Sequence, residues 1–145
     1  MELNLPPCRA HDHRPRQAQW KERDQQFVVE VEKAALFLRN LSGRPIQVTR
    51  ASISRQTGKR VWLYSNLDVL PLTAQALANL IETDAEFAVR KVEWAAEQYR
   101  QENCCPSRTK LMEQARVGGG LAQHPQVQTA LDAALHMLSQ FETGL

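Results

Sequence analysis

Five cations stand between residues 44 and 60: Arg44, Arg50, Arg55, Lys59 and Arg60, with no carboxylate among them. Thr49, Ser52 and Ser54 are interleaved with them. Guanidinium and ammonium groups at that density neutralise phosphates and release condensed counterions, while hydroxyls between them suit phosphate oxygens. The 145-residue chain carries a net charge of only +2, so this run is a local concentration in a chain that is otherwise near neutral or slightly acidic. That balance excludes a strongly basic chromatin-type protein and is compatible with a localised nucleic-acid interface. The competing reading of the run is a solvated surface stretch. A thinner basic set, Arg108, Lys110 and Arg116, is opposed by Glu113.

Other chemistry finds little support. Cys8, His11 and His13 offer three ligands, whereas a closed zinc site needs four, so no metal is expected. Cys104 and Cys105 are adjacent at a helix break and are expected to plug the core there. No GxxxxGK[ST], HExxH, GxSxG or GxGxxG motif is present, and Gly118-Gly119-Gly120 lacks the lysine and strand of a phosphate loop. The expectation is a protein without catalytic activity or cofactor. Three cysteines make no even framework, no secretory signal is visible, and no apolar run approaches the length of a membrane span. A cytoplasmic protein with no membrane contact is expected.

Helices must position the basic residues. Residues 1–17 hold three of the seven prolines and two of the four histidines, which implies an extended polar arm. Trp20, Phe27, Val31, Ala34, Ala35 and Leu38 recur at helical spacing over 18–41, and Gly43 is available for a left-handed cap. Thr49 suits the N-cap of a short helix, Arg50 to Thr57, stopped by Gly58. Lys59 to Leu70 reads as the next helix, with Leu63, Leu67 and Leu70 inward and Pro71 ending it. Thr73 suits the cap of a helix over 74–82. The pattern restarts at Thr83 and Asp84, with Phe87, Val89, Val92, Ala95, Ala96 and Tyr99 on one face. Ser107 caps another short helix, the three glycines form a flexible turn, and Pro125 suits the first turn of a last helix.

The order of these pieces repeats. Phe27, Thr49 and Ala76 find counterparts in Phe87, Ser107 and Ala130, at offsets of 60, 58 and 54 residues, and Gln56 recurs as Gln114. No convincing alternating strand pattern appears. The expected fold is all-α, with two tandem helix-turn-helix-like units over 18–83 and 84–145. In the first unit, Lys59 to Leu70 would be the recognition helix, exposing Arg60, Trp62, Tyr64, Ser65 and Asn66. Arg60 suits guanine and Asn66 adenine, while Trp62 and Tyr64 suit either DNA or the core. The second unit has a shorter span, where Gln123, His124, Gln126 and Gln128 could substitute for a recognition helix; its other reading is a structural or protein-binding half.

Several blocks, in order, resemble the C-terminal region of TnsD-type proteins, target-site selectors of heteromeric bacterial transposons related to the TniQ proteins. They are Trp20-Lys21-Glu22-Arg23-Asp24, Gly43 through Arg50, Leu67 through Thr73, and Asp84 through Ala96. The resemblance spans about residues 18–132. It implies sequence-specific binding to double-stranded DNA at a chromosomal attachment site, and recruitment of a transposition ATPase that passes the target to the transposase. It also implies an N-terminal TniQ-like domain with zinc-binding cysteines and histidines, placed before the region seen here. At matched positions it implies phosphate contacts by Thr49 and Arg50. The alternatives are a helix-turn-helix transcriptional regulator and a helical protein–protein adaptor.

Overall fold

The computed structural model describes residues 16–143, with side chains for 17–140, and every regular element among them is helical. The order is α1 (Arg16–Arg39), α2 (Arg50–Thr57), α3 (Arg60–Tyr64), a 3-10 turn (Leu67–Val69), α4 (Pro71–Leu80), α5 (Asp84–Gln101), α6 (Arg108–Ala115), α7 (Gly119–Ala122) and α8 (Pro125–Thr143). The fold is all-α. Residues 1–15 of the expected polar arm, with Cys8, His11 and His13, lie outside the described residues, and Arg16 and Gln17, assigned to that arm, instead open α1. No described helix is long and apolar enough to cross a membrane.

Two hydrophobic clusters form the interior. One gathers Phe27, Val31, Ala34, Ala35 and Leu38 of α1 around Val48, Ile53, Leu63, Leu70 and Leu77. The other gathers Ala88, Val92, Ala95 and Ala96 of α5 around Leu111, Ala115, Val127, Leu131 and Leu138. The helical spacing of apolar residues in α1, α5 and α8 places one stripe of each inward. A fully buried Leu or Phe contributes about 1.5–3 kcal/mol.

The order of elements is similar in the two halves. A long helix leads to an eight-residue helix capped by a hydroxyl, at Thr49 and again at Ser107. Each short helix ends on a left-handed residue, Gly58 at φ 73° and Arg116 at φ 58°. A very short helix and a helix beginning with proline, Pro71 or Pro125, then follow in both halves.

Four local expectations are corrected. Lys59 to Leu70 is not one helix: α3 ends at Tyr64, and the N–H groups of Ser65 and Asn66 both donate to the Val61 carbonyl. Ser and Asn compete with the helical backbone, and a residue before proline is disfavoured in the α region. Leu70 accordingly sits at φ −125°, ψ 67°, and the 3-10 turn still brings it into the core. Thr73 is not an N-cap. The helix begins at Pro71, and its first turn is capped by Asp24 of α1, which accepts from Leu72 N–H at 2.8 Å, Thr73 N–H at 2.9 Å and Thr73 Oγ1 at 2.7 Å. A carboxylate suits a helix N-terminus, where unpaired N–H groups and the helix dipole converge. Gly43 is not left-handed. Cys104 and Cys105 are exposed, and buried Pro106 takes the place at the break expected of them.

Candidate nucleic-acid interface

The loop before α2 is fixed before α2 begins. Glu82, 2% exposed, accepts from Val48 N–H at 2.8 Å and from Arg90 Nε and Nη2 at 2.7 and 3.1 Å. Its own N–H returns a bond to the Val48 carbonyl at 2.9 Å, and Arg90 Nη2 donates to Ile46 O at 2.7 Å. Arg39 lies 3.9 Å from the same carboxylate. One buried anion thus joins the 46–48 segment, the end of α1 and α5. A buried charge is tolerable when paired and hydrogen-bonded, as this one is.

Thr49 then starts α2 through a reciprocal cap. Its Oγ1 accepts from Ser52 N–H at 3.0 Å, and Ser52 Oγ accepts from Thr49 N–H at 2.8 Å. Ser52 Oγ also donates toward the Gln47 and Thr49 carbonyls. Thr49 is half-buried and Ser52 buried, so these two hydroxyls shape the helix start, and Ser54 is buried further along α2.

Beyond the cap, three side chains converge outside. Tyr64 is 45% exposed, with the Arg50 guanidinium 5.4 Å and the Arg60 guanidinium 5.2 Å from its ring centre. Arg60 and Tyr64 are four residues apart on α3 and so share a face, while Arg50 reaches the ring from α2. An arginine stacked by its face on an aromatic ring keeps its N–H edge for phosphate or guanine. Arg55 is exposed in the last turn of α2 and has no ion pair or ring contact among the described residues. Ser65 is exposed at the end of α3, and Asn66 is half-buried.

The remaining sequence-nominated residues go elsewhere. Lys59 pairs with Glu30 at 2.8 Å and lies over Trp62 and Phe27. Trp62 is half-buried against Trp20 and Phe27, so it serves the first core. Arg44 crosses to the second half, where Nη1 donates to Gln114 O at 3.1 Å and its guanidinium stacks 4.5 Å from the Trp94 ring. Arg108 pairs with Asp132, Lys110 is exposed, and Arg116 is exposed at its left-handed position. The short α7 has the sequence Gly-Gly-Leu-Ala and offers no polar side chain to a groove. Gln123, His124 and Gln126 are exposed, but His124 Nδ1 accepts from Gln126 N–H and Gln123 accepts from Gln128.

Sequence reading overlooked Lys91, whose Nζ donates to Arg116 O at 3.0 Å. Burial lowers its pKa from the usual lysine value, as do the nearby Arg44 and Arg116 charges; Asp84 opposes them. It also overlooked Val61, which is 61% exposed beside Arg60. No group of three His, Cys, Asp or Glu side chains among the described residues is placed to hold a metal ion.

Residues 1–77 match the family model described as TnsD, Tn7-like transposition protein D. The match covers α1 through most of α4, including the Arg50, Tyr64 and Arg60 cluster, and ends before α5. No curated protein matches the chain. No solved structure matches it either.

Proposed function

The chain belongs to the TnsD family of Tn7-like transposition proteins, and from that premise we propose that it binds double-stranded DNA at a defined chromosomal site and marks it for transposon insertion. The observation that carries this reading is the exposed stack of Arg50, Tyr64 and Arg60 across the α2–Gly58–α3 turn. Two helices joined by a tight glycine turn form the element that helix-turn-helix proteins set against a major groove. On this reading residues 18–83 form one such unit and 84–145 a second, related one.

Phosphates are met by Arg50 and Arg55, and base edges by the exposed face of α3. Ser65 adds a neutral donor. Thr49, Ser52, Lys59 and Trp62 act from behind, by fixing α2 and α3. The second half contributes backbone contacts through Lys110 and Arg116, while Arg44 and Arg108 hold its geometry. Base readout by α7 is not part of the proposal, because that helix has no side chain to supply it. The protein does no chemistry on DNA. It presents the bound site to a transposition ATPase.

The test is binding to duplex DNA over a range of salt concentrations, with parent protein and an Arg50→Ala, Arg55→Ala, Arg60→Ala triple variant. Each phosphate contact contributes about 0.9 to the slope of log affinity against log salt. The triple variant is expected to bind more weakly and with a shallower slope, while its circular dichroism stays that of the parent. Equal affinity and equal slope would refute the proposed surface. The adaptor reading predicts that outcome. Footprinting over an attachment site rather than a promoter separates target selection from transcriptional regulation.

A further inference from the structure

We propose that α3 recognises a thymine next to a guanine, with Val61 against the thymine 5-methyl group and Arg60 on the guanine edge. The inference rests on the duplex-binding reading above and names what that surface selects. Of the five residues in α3, Trp62 packs on the first core and Leu63 is completely buried. Arg60, Val61 and Tyr64 are exposed. Val61 is 61% exposed, follows Arg60 in sequence and is set on the same short helix as the Tyr64 ring that the Arg50 and Arg60 guanidiniums approach.

Single exposed valines are common and by themselves signify nothing. The position of this one is what matters. In the major groove the 5-methyl of thymine is the apolar feature available, while guanine offers N7 and O6 as paired acceptors for arginine. Arg60 rests with its guanidinium by the Tyr64 ring at 5.2 Å, which restrains the side chain before DNA arrives and leaves its donor edge open. Neighbouring side chains on a helix point in directions about 100° apart, so Arg60 and Val61 address adjacent bases rather than one. The exposed Ser65 continues the Val61 ridge one turn on.

The experiment starts with selection from a random duplex library by the full chain. Each thymine of the recovered site is then replaced singly by uracil, which removes only the methyl, and each guanine by 7-deazaguanine, which removes N7. The parent should lose about fourfold in affinity at one uracil position, the factor associated with burial of one methyl-sized group. Val61→Ala should lose a similar factor on the unmodified site and be indifferent to uracil at that position. Arg60→Ala should be indifferent to 7-deazaguanine at the neighbouring guanine. The proposal is overturned if no uracil position matters to the parent, or if Val61→Ala keeps the parent's sensitivity. Duplex binding with neither effect sinks this inference alone. Failure to bind any duplex sinks the reading beneath it as well. Val61 is outside the core, so circular dichroism and melting of Val61→Ala should match the parent.

Discussion

Replacing Glu82 by alanine should cost about 4 kcal/mol, a large share of the roughly 5–15 kcal/mol that holds a domain folded. The carboxylate is 2% exposed and carries three hydrogen bonds, from Val48 N–H, Arg90 Nε and Arg90 Nη2. Removing it strands two groups. Breaking one side of a buried ion pair typically costs about 3–5 kcal/mol, and the Arg90 side chain, at 19% exposure, keeps enough water contact to favour the lower end. The orphaned Val48 N–H adds about 1 kcal/mol. Urea denaturation followed by circular dichroism measures the loss, and hydrogen exchange at Val48 locates it. Glu82→Gln should cost about half as much, since an amide oxygen can still accept from Val48. Arg90→Ala should be costly alone but add little on top of Glu82→Ala, because the two act on one interaction. A loss below about 1 kcal/mol for Glu82→Ala, or full additivity in the double variant, would refute this account of the network.

Asp24→Ala should destabilise by about 3 kcal/mol, because three bonds to a charged acceptor vanish and a buried threonine hydroxyl loses its partner; chemical denaturation measures it. Gly58→Ala should cost about 1 kcal/mol through backbone strain alone, since an added Cβ meets nothing within 4 Å at φ 73°. Arg116→Gly should act in the opposite direction by a few tenths of a kcal/mol, as relief at φ 58° outweighs the added freedom of the unfolded chain; thermal melts of both variants check the signs. Lys91 has a lowered pKa in the folded state, so its charged form is penalised there and its contribution to stability improves as pH rises from the folded toward the unfolded value. Arg44→Ala removes one of the neighbouring charges and should move the Lys91 titration, followed by NMR at Nζ, back up toward its usual range.

What the sequence reveals here is what is local. The three- and four-residue apolar steps of α1, α5 and α8 mark their buried faces, and Thr49 and Ser107 declare themselves as caps through their position before short helices. The similar order of helices in the two halves is legible for the same reason, since it is a string of short-range signals. Bonds between distant residues leave no such trace. Asp24 caps a helix 48 residues downstream, and nothing in Trp20 through Asp24 distinguishes that carboxylate from its charged neighbours. Leu63 and Leu70 are seven apart, a helical interval, yet both are buried although the helix breaks between them, so periodicity overstates the length of α3. The cations are visible as a run, but not their destinations. Arg50 and Arg60 meet on Tyr64, whereas Lys59 folds back onto Glu30 and Arg44 leaves for Trp94.

The carboxylate at position 82 also limits how this protein can be recombined. A chimera that keeps residues up to 83 and imports a foreign continuation would retain the anion and lose the guanidinium of Arg90, which faces it from α5. The reciprocal graft would have the opposite excess. Shuffling either half between relatives therefore has to transfer Glu82 and Arg90 as one inheritance, or replace both with apolar side chains of matching volume.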